Sequence, residues 1–310
     1  MGSLCHADSQ EKKVILWLNE TMIKLPVIRD VLVAEKKVLV RADLETTVNS
    51  NSNREKATRD IIEYLLGQRV KNIKVIGHKG QFEYPGVTVV NDIRADRRER
   101  ENSEAMAAEL ADGWDVYVNE SFAESHRKYT SVEALPRLMA SQGKPVCVGL
   151  RFEKEIEELV KVNSKSNRLA IIGGAKGDKE DEARKLEARG WKVLRGGLLP
   201  GAKLRPDGLD ISDEEIKRLS DEVTKAEVIV LAGPMGKYED NASNAFNGTV
   251  KIFTAVANSK AHKIAGGGDT EAALEKFGLK EKMDWISVGG GAMLEFLATG
   301  TLPGIEAVIS

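Results

Sequence analysis

The stretch RLAIIGGAKGDK, residues 168–179, runs an apolar, β-branched segment straight into a glycine turn that carries Lys176 and Lys179. A buried strand that ends in glycine and opens a helix aims backbone N–H groups at one point beyond its carboxyl end, a geometry suited to phosphate. Alone, such a turn is ordinary connection chemistry. The pattern recurs: EVIVLAG leads into AGPMGKYE (232–239), HKIAGGG into AGGGDT (265–270) and DWISVGGG into VGGGAMLE (288–295), each heading toward residues of helical character. Four such turns after consecutive apolar runs, with Asp269 in the third, point to a phosphorylated ligand, a nucleotide with a divalent metal.

Outward from these turns, strands alternate with helices. Strand patterns fall at 36–44, 72–78, 86–93 and 114–120 in the first half, and at 168–174, 191–197, 226–234, 261–268 and 284–291 in the second. REKATRDIIEYLLGQ (54–68) and ENSEAMAAELADG (101–113) repeat apolar residues at helical spacing. The alternation predicts α/β folding with right-handed crossovers and parallel sheets covered on both faces. RFEKEIEELVKVNSKSNR (151–168) reads as a charged connecting helix that stops in an Asn/Ser run. Residues 1–25, with one apolar patch at 14–18, fit either a tail or a short packed helix.

With 310 residues, 42% hydrophobic and 30% charged, the chain can bury two medium cores. A net charge of −2 gives no field for nucleic acid or a membrane surface. Cys5 and Cys147 have no metal or redox spacing and suit a reducing compartment. No apolar run approaches the ~18 residues of a membrane span, so a soluble, cytoplasmic protein is expected.

The first half carries the opposite electrostatic signal. Arg41 follows VLV, Arg54 opens a helix, His78 ends VIG, Arg94 follows VVNDI, and His126 and Arg127 follow VYVNESF. Residues beyond the carboxyl ends of parallel strands converge on one crevice. Singly these are ordinary surface residues; together they predict a basic bowl for a small acid bearing carboxylate and phosphate, gripped by arginine forks. Arg97, Arg98 and Arg100 read instead as a solvated helix face.

These segments resemble the phosphoglycerate kinase family. KKVLVRADLETTV, NREKATRDIIEYLL and VIGHKG are similar to its opening strand, Arg-bearing helix and His-Gly loop. DVYVNESFAESHRKYTSVEALP resembles its Asn-Asp-Ala-Phe-Gly-Thr-Ala-His-Arg segment. AIIGGAKGDK, VLRGGLLPGAKL, LAGPMGKYED, AGGGDTEAAL and ISVGGGAMLEFLATGTLPGIEAV follow in family order, so the resemblance runs from about residue 27 to the C-terminus. It implies two Rossmann-like lobes, each a parallel sheet flanked by helices, joined by a hinge helix. The implied division is an extension (1–25), an acid-substrate lobe (26–147), an interdomain helix (148–167), a Mg-nucleotide lobe (168–291) and a segment packing back on the hinge and first lobe (292–310).

The resemblance implies the reversible transfer of phosphate between 1,3-bisphosphoglycerate and ADP, giving 3-phosphoglycerate and ATP, by a monomer that uses Mg²⁺. It puts Arg41, Asp43, Arg54, His78, Arg94, His126 and Arg127 on the acid side. Gly173, Gly174, Lys176, Lys179, Gly233, Pro234, Glu239, Gly266, Gly267, Gly268, Asp269, Thr270, Gly289, Gly290 and Gly291 fall on the nucleotide side. Arg54, Lys176 and Lys179 become the catalytic cations, Asp269 the metal carboxylate and Glu239 the ribose acceptor. The chain departs from the family pattern at Glu45, Gln81 and Ala232, in the shortened lysine loop 173–179, and in the trimmed segment 197–226, which belongs to the adenine pocket. Two functions stay open at this point: a working kinase, and a homologue that binds a phosphorylated metabolite or nucleotide without transfer. A dinucleotide dehydrogenase would need G-x-G-x-x-G after its first strand, and VLVRADLET has no glycine there.

Overall fold

The computed structural model describes residues 15–18, 21–44, 52–174, 178–241 and 243–309. The chain opens there on an antiparallel pair, β1 (Ile15–Leu18) and β2 (Thr21–Lys24), with Ile15 opposite Lys24 and Leu18 opposite Thr21. This hairpin replaces the tail or helix expected before residue 25; two β-prone runs only two residues apart pair most readily with each other. Val27 then bridges Val148 in parallel, extending the edge of the first sheet.

That sheet contains β3 (Lys37–Ala42), β4 (Asn72–Gly77), β5 (Thr88–Val90), β6 (Val116–Asn119) and β7 (Val146–Val148), all parallel in the order β5-β4-β3-β6-β7. Alternation along β3 divides its side chains between two cores. Val38 and Val40 pack with Ile61, Ile62 and Leu65 of α1 (Asn53–Gly67), whereas Leu39 joins the core that holds Met106 of α2 (Glu104–Ala111) and Leu135 and Met139 of α3 (Ala134–Ser141). Ser52 starts α1 by accepting the Glu55 N–H at 3.2 Å.

Helix α4 (Leu150–Asn163) leaves this sheet and leads to the second. Phe152, Ile156, Leu159 and Val162 lie along one stripe and are fully buried. The second sheet contains β8 (Arg168–Ile172), β9 (Lys192–Arg195), β10 (Val228–Ala232), β11 (His262–Gly266) and β12 (Trp285–Ser287), parallel in the order β12-β11-β10-β8-β9. Its helices are α5 (Asp178–Ala188), α6 (Asp213–Val223), α7 (Asn247–Asn258), α8 (Gly268–Lys276) and α9 (Gly290–Thr299). In β10, Ile229 and Leu231 share a core with α6 and α7, while Val228 and Val230 share one with α5 and α9. Among the described residues the turn at 232–239 leads into no helix until Asn247, because Pro234 and the polar residues Asp240, Asn241, Ser243 and Asn244 favour turns.

One core runs unbroken from Leu39 and Phe122 in the first lobe through α4 to Val230 and Met293 in the second. Helix α10 (Pro303–Ile309) ends the chain against α3 and β7, with the Gly304 N–H donating to Ser125 O at 3.0 Å. Among the described residues no single helix is long and apolar enough to cross a membrane.

Two buried carboxylates tie α4 to the two lobes. Glu120, just after β6, accepts the N–H groups of Arg151 (2.8 Å) and Phe152 (3.3 Å), capping α4 where Gly149 supplies no side chain. A Cβ on Gly149 would lie 2.1 Å from the Glu120 carboxylate, so only glycine permits this cap. Glu155, fully buried, accepts from Val288 N (3.0 Å), Trp285 Nε1 (2.9 Å) and Arg151 Nε (3.0 Å), which binds α4 to β12. Arg151 in turn lies 4.0 Å over the Trp285 ring.

Replacing Glu155 with Ala strands Arg151 and two buried donors, and is expected to cost about 3–5 kcal/mol; urea denaturation checks this. Burial raises the Glu120 carboxyl from 4.5 to about 8, against the opposing pull of its helix N–H partners. Its folded value lies above the unfolded one, so its stability contribution is full below about pH 4.5 and is lost as pH rises through 8, by at most about 1.4 kcal/mol per pH unit. Glu120→Gln should flatten the stability profile across that window in denaturation series at pH 5–8.

Candidate active site

Each sheet order has one point where it reverses: between β3 and β6 in the first lobe, and between β8 and β10 in the second. Open parallel sheets bind ligands in the crevice outside these points. The loops after β3 and β6 carry Asp43 and residues 120–127; those after β8 and β10 carry Gly173, Gly174, Gly233 and Pro234.

On the first wall, Arg54 Nε lies 3.3 Å from Asp43, which is itself nearly buried. His78, almost fully buried, accepts from Arg94 at Nε2 (2.5 Å), so Nδ1 holds the ring proton and faces Glu124 at 3.4 Å. Arg127 donates to Glu124 at 3.0 Å and to His126 Nε2 at 3.3 Å. Tyr129 stacks on the His78 ring with centroids 6.2 Å apart and lies 5.7 Å from the Arg127 guanidinium carbon.

Arg41 sits apart from the others. It has no exposure, donates to Ser131 Oγ at 2.8 Å and to the Ala42 carbonyl, and lies in the field of buried Glu99. Burial raises the Glu99 carboxyl, with Arg41 and Ser131 opposing. The structure therefore puts Arg41 under the bowl and Arg54, His126 and Arg127 on its surface.

On the second wall, Lys179 Nζ donates to Gly173 O (2.6 Å) and Ala232 O (3.3 Å), spanning the reversal between β8 and β10. Gly233 has φ +100°, and a Cβ there would meet Gly173 O at 2.2 Å and Lys179 Nζ at 2.3 Å. No side chain fits that corner. Thr270 is buried, and its hydroxyl accepts from Gly233 N (2.7 Å) and donates to Gly266 O (2.9 Å), which joins two glycine turns. Asp269 is exposed in the first turn of α8, and Glu239 is exposed beside Tyr238. Lys176 and Glu45 lie outside the described residues.

The walls meet directly. Arg54 donates to Val288 O (2.8 and 3.1 Å), and Asn53 to Glu271 (2.9 Å). A Cβ on Gly289 would lie 2.5 Å from Ala123 Cα, so glycine lets the turn before α9 touch the opposite lobe. A cavity of about 430 Å³ lies between the walls, lined by Arg54, Glu124, His126, Arg127 and Lys179, together with the turns at 266–270 and 289–291. A second cavity, of about 230 Å³, lies between Gly174, Leu198, Leu204, Pro234, Tyr238 and Glu239. Asp269 lines both.

The trimmed segment 197–226 still builds that second cavity. Asp210, buried there, accepts from Ile211 N (2.8 Å) and Gly248 N (2.7 Å), and Leu209 O accepts from Lys237 N at 2.9 Å. Gln81 is exposed beside Arg59 and Asn91, and Lys79, Lys128 and Lys237 are exposed. Sequence reasoning passed over Glu120, Glu124 and Glu155. Glu124 stands one residue before the Ser125-His126-Arg127 run, in the segment already singled out; a carboxylate two positions before a histidine meant for an anion was the available signal.

Comparison with known proteins points to one family. The family described as "Phosphoglycerate kinase" matches residues 81–202 and 200–300. A phosphoglycerate kinase of Solibacter usitatus is 30% identical over 285 residues, covering 72% of this chain and 71% of its own length. That of Aquifex aeolicus is 27% identical over 394 aligned positions, covering 91% and 98%. Among solved structures, phosphoglycerate kinase from Pyrococcus horikoshii shares the fold at TM-score 0.73 and 22% identity, covering 92% of this chain and 98% of that one. The enzyme from Coxiella burnetii matches at 0.72 and 21% identity, with the same coverage.

Burial, reinforced by the neighbouring Arg127 charge, lowers the His126 pKa below 6.5. Its imidazole is expected to be neutral at pH 7. NMR titration should find its midpoint below the ordinary value, and Arg127→Gln should move that midpoint upward.

Proposed function

The chain belongs to the phosphoglycerate kinase family, and from that membership we propose that it transfers phosphate reversibly between 1,3-bisphosphoglycerate and ADP, giving 3-phosphoglycerate and ATP. The observation that carries this reading is the shared cavity. Cations from one lobe and glycine turns from the other line a single space, which continues at Asp269 into a second, partly apolar one.

In this reading the acid lies against Arg54, His126 and Arg127, with His78 and Arg94 behind them, and Arg41 braces the bowl from below. The nucleotide base occupies the cavity between Leu198, Leu204 and Tyr238, and Glu239 accepts from a ribose hydroxyl. Phosphoryl transfer asks the protein to hold two oxygens in line and to neutralise spreading charge. Arg54 and Lys179 supply that charge from opposite walls, with Lys176 on the nucleotide phosphates. The first helical residues of α9, Gly290 and Gly291, line the same space with their N–H groups, while the Gly289 N–H is held by Ser287 Oγ at 3.3 Å.

The exposed carboxylate of Asp269, at the junction of the cavities, suits Mg²⁺, which binds through one or two carboxylates while phosphates and water complete its shell. When bound, Mg²⁺ supplies neutralisation of the nucleotide phosphates. The acceptor oxygen is an ionised carboxylate, so no general base is needed. Contacts such as Arg54 to Val288 O and Asn53 to Glu271 expel water from between the lobes.

A second reading, binding without transfer, draws on one observation: Arg54 and Lys179 both already donate to protein carbonyls. A coupled assay with 3-phosphoglycerate, ATP and Mg²⁺ separates the two. Turnover that falls about 10²–10³-fold in both Arg54→Ala and Lys179→Ala is the expected result; ligand binding by calorimetry with no turnover in the parent chain would establish the second reading.

A further inference from the structure

Glu124 is the carboxylate on which one end of the basic bowl converges. It ends the short 3₁₀ turn Phe122–Glu124 after β6, at the reversal point of the first sheet, and lines the cavity between the lobes while remaining only 6% exposed. Arg127 donates to its Oε2 at 3.0 Å, and His78 Nδ1 faces the same oxygen at 3.4 Å. His78 is itself held by Arg94 through Nε2, so Arg94, His78 and Arg127 form one relay about a single in-chain anion. Tyr129 steadies both ends of that relay.

Arg54 lies at the other end of the bowl, against the glycine turn at Val288. An acid that presents its reacting group to Arg54 and the second lobe must point its remaining group toward Glu124. A charged distal group then meets a guanidinium whose NH1 is already occupied and a carboxylate of its own sign. An uncharged hydroxyl meets no such opposition.

We propose that Glu124 is a specificity-determining residue: a resident anion standing in for part of the charge of the acid's distal group, which narrows the site's preference for a phosphorylated acid over its hydroxy analogue. This rests on the kinase reading for the orientation of the acid. A purely structural Glu124 would act in the opposite sense, since removing it would loosen Arg127 and weaken the phosphorylated acid.

The test is calorimetry with 3-phosphoglycerate and with glycerate on the parent chain and on Glu124→Thr, alongside the KM for ATP. The parent chain is expected to prefer 3-phosphoglycerate by less than about tenfold. The variant should bind 3-phosphoglycerate at least tenfold more tightly, with glycerate affinity and the ATP KM within about twofold. An unchanged or weakened 3-phosphoglycerate affinity in a folded variant overturns the proposal. Should Glu124→Thr not fold, the parent chain decides: a preference above tenfold overturns it and one below supports it. Absence of turnover in the parent chain refutes the kinase reading and leaves these binding ratios readable, whereas a ratio that is the same in the variant as in a parent chain that turns over refutes only the role of Glu124.

Discussion

Everything between the lobes depends on how α4 is held. A helix that starts at glycine has no side chain to satisfy its first N–H groups, and here Glu120 reaches up from the end of β6 to accept two of them. One turn later Glu155 accepts from Val288 and Trp285 at the far side of the second sheet. A single helix thus receives its start from one lobe and delivers its middle to the other, and the turn at 289–291 inherits its position from that clamp. Its apolar stripe of Phe152, Ile156, Leu159 and Val162 makes the two lobes share one core. Burial of that stripe supplies the energy, and the two carboxylates supply the direction.

The cleft that results is less basic than its list of arginines implies. Arg54 faces Asp43, Arg127 faces Glu124, and Arg41 is buried near Glu99. Buried or half-buried cations seek partners because an unpaired charge away from water is costly. The same pairing that stabilises the empty bowl sets what a substrate must displace. On the nucleotide side the logic is different: there the glycines bring carbonyls and N–H groups close together, and Lys179 bridges the ends of β8 and β10.

Much of this was legible in the residues. The alternation of strands with helices and the continuous apolar runs, VLV among them, were enough for two covered parallel sheets, because a strand buried on both faces has no other composition available. The convergence of His126 and Arg127 with Arg54 on one crevice followed from their places after β6 and at the start of the helix that follows β3. The hairpin before residue 25 was not legible, since a short apolar patch such as 14–18 serves a helix or a strand until something pairs with it. Nor was the long turn after Met235, which was expected to head straight into a helix, whereas α7 starts only at Asn247.

What the sequence by itself determined was the fold class, the alternation of strands and helices, the family and the inventory of charged groups, because these are written in local pattern and in motif order. What only the tertiary structure decided was which charges face one another. Arg41 lies under the bowl and Arg54 on it, and Glu124 stands among the cations instead of in solvent. The residues concerned include partners as distant in the chain as His78 and Glu124 or Arg41 and Glu99. No local spacing encodes whether a carboxylate points into a cleft; that is set by the crossing of two sheets around α4, where packing of the shared core fixes the distances.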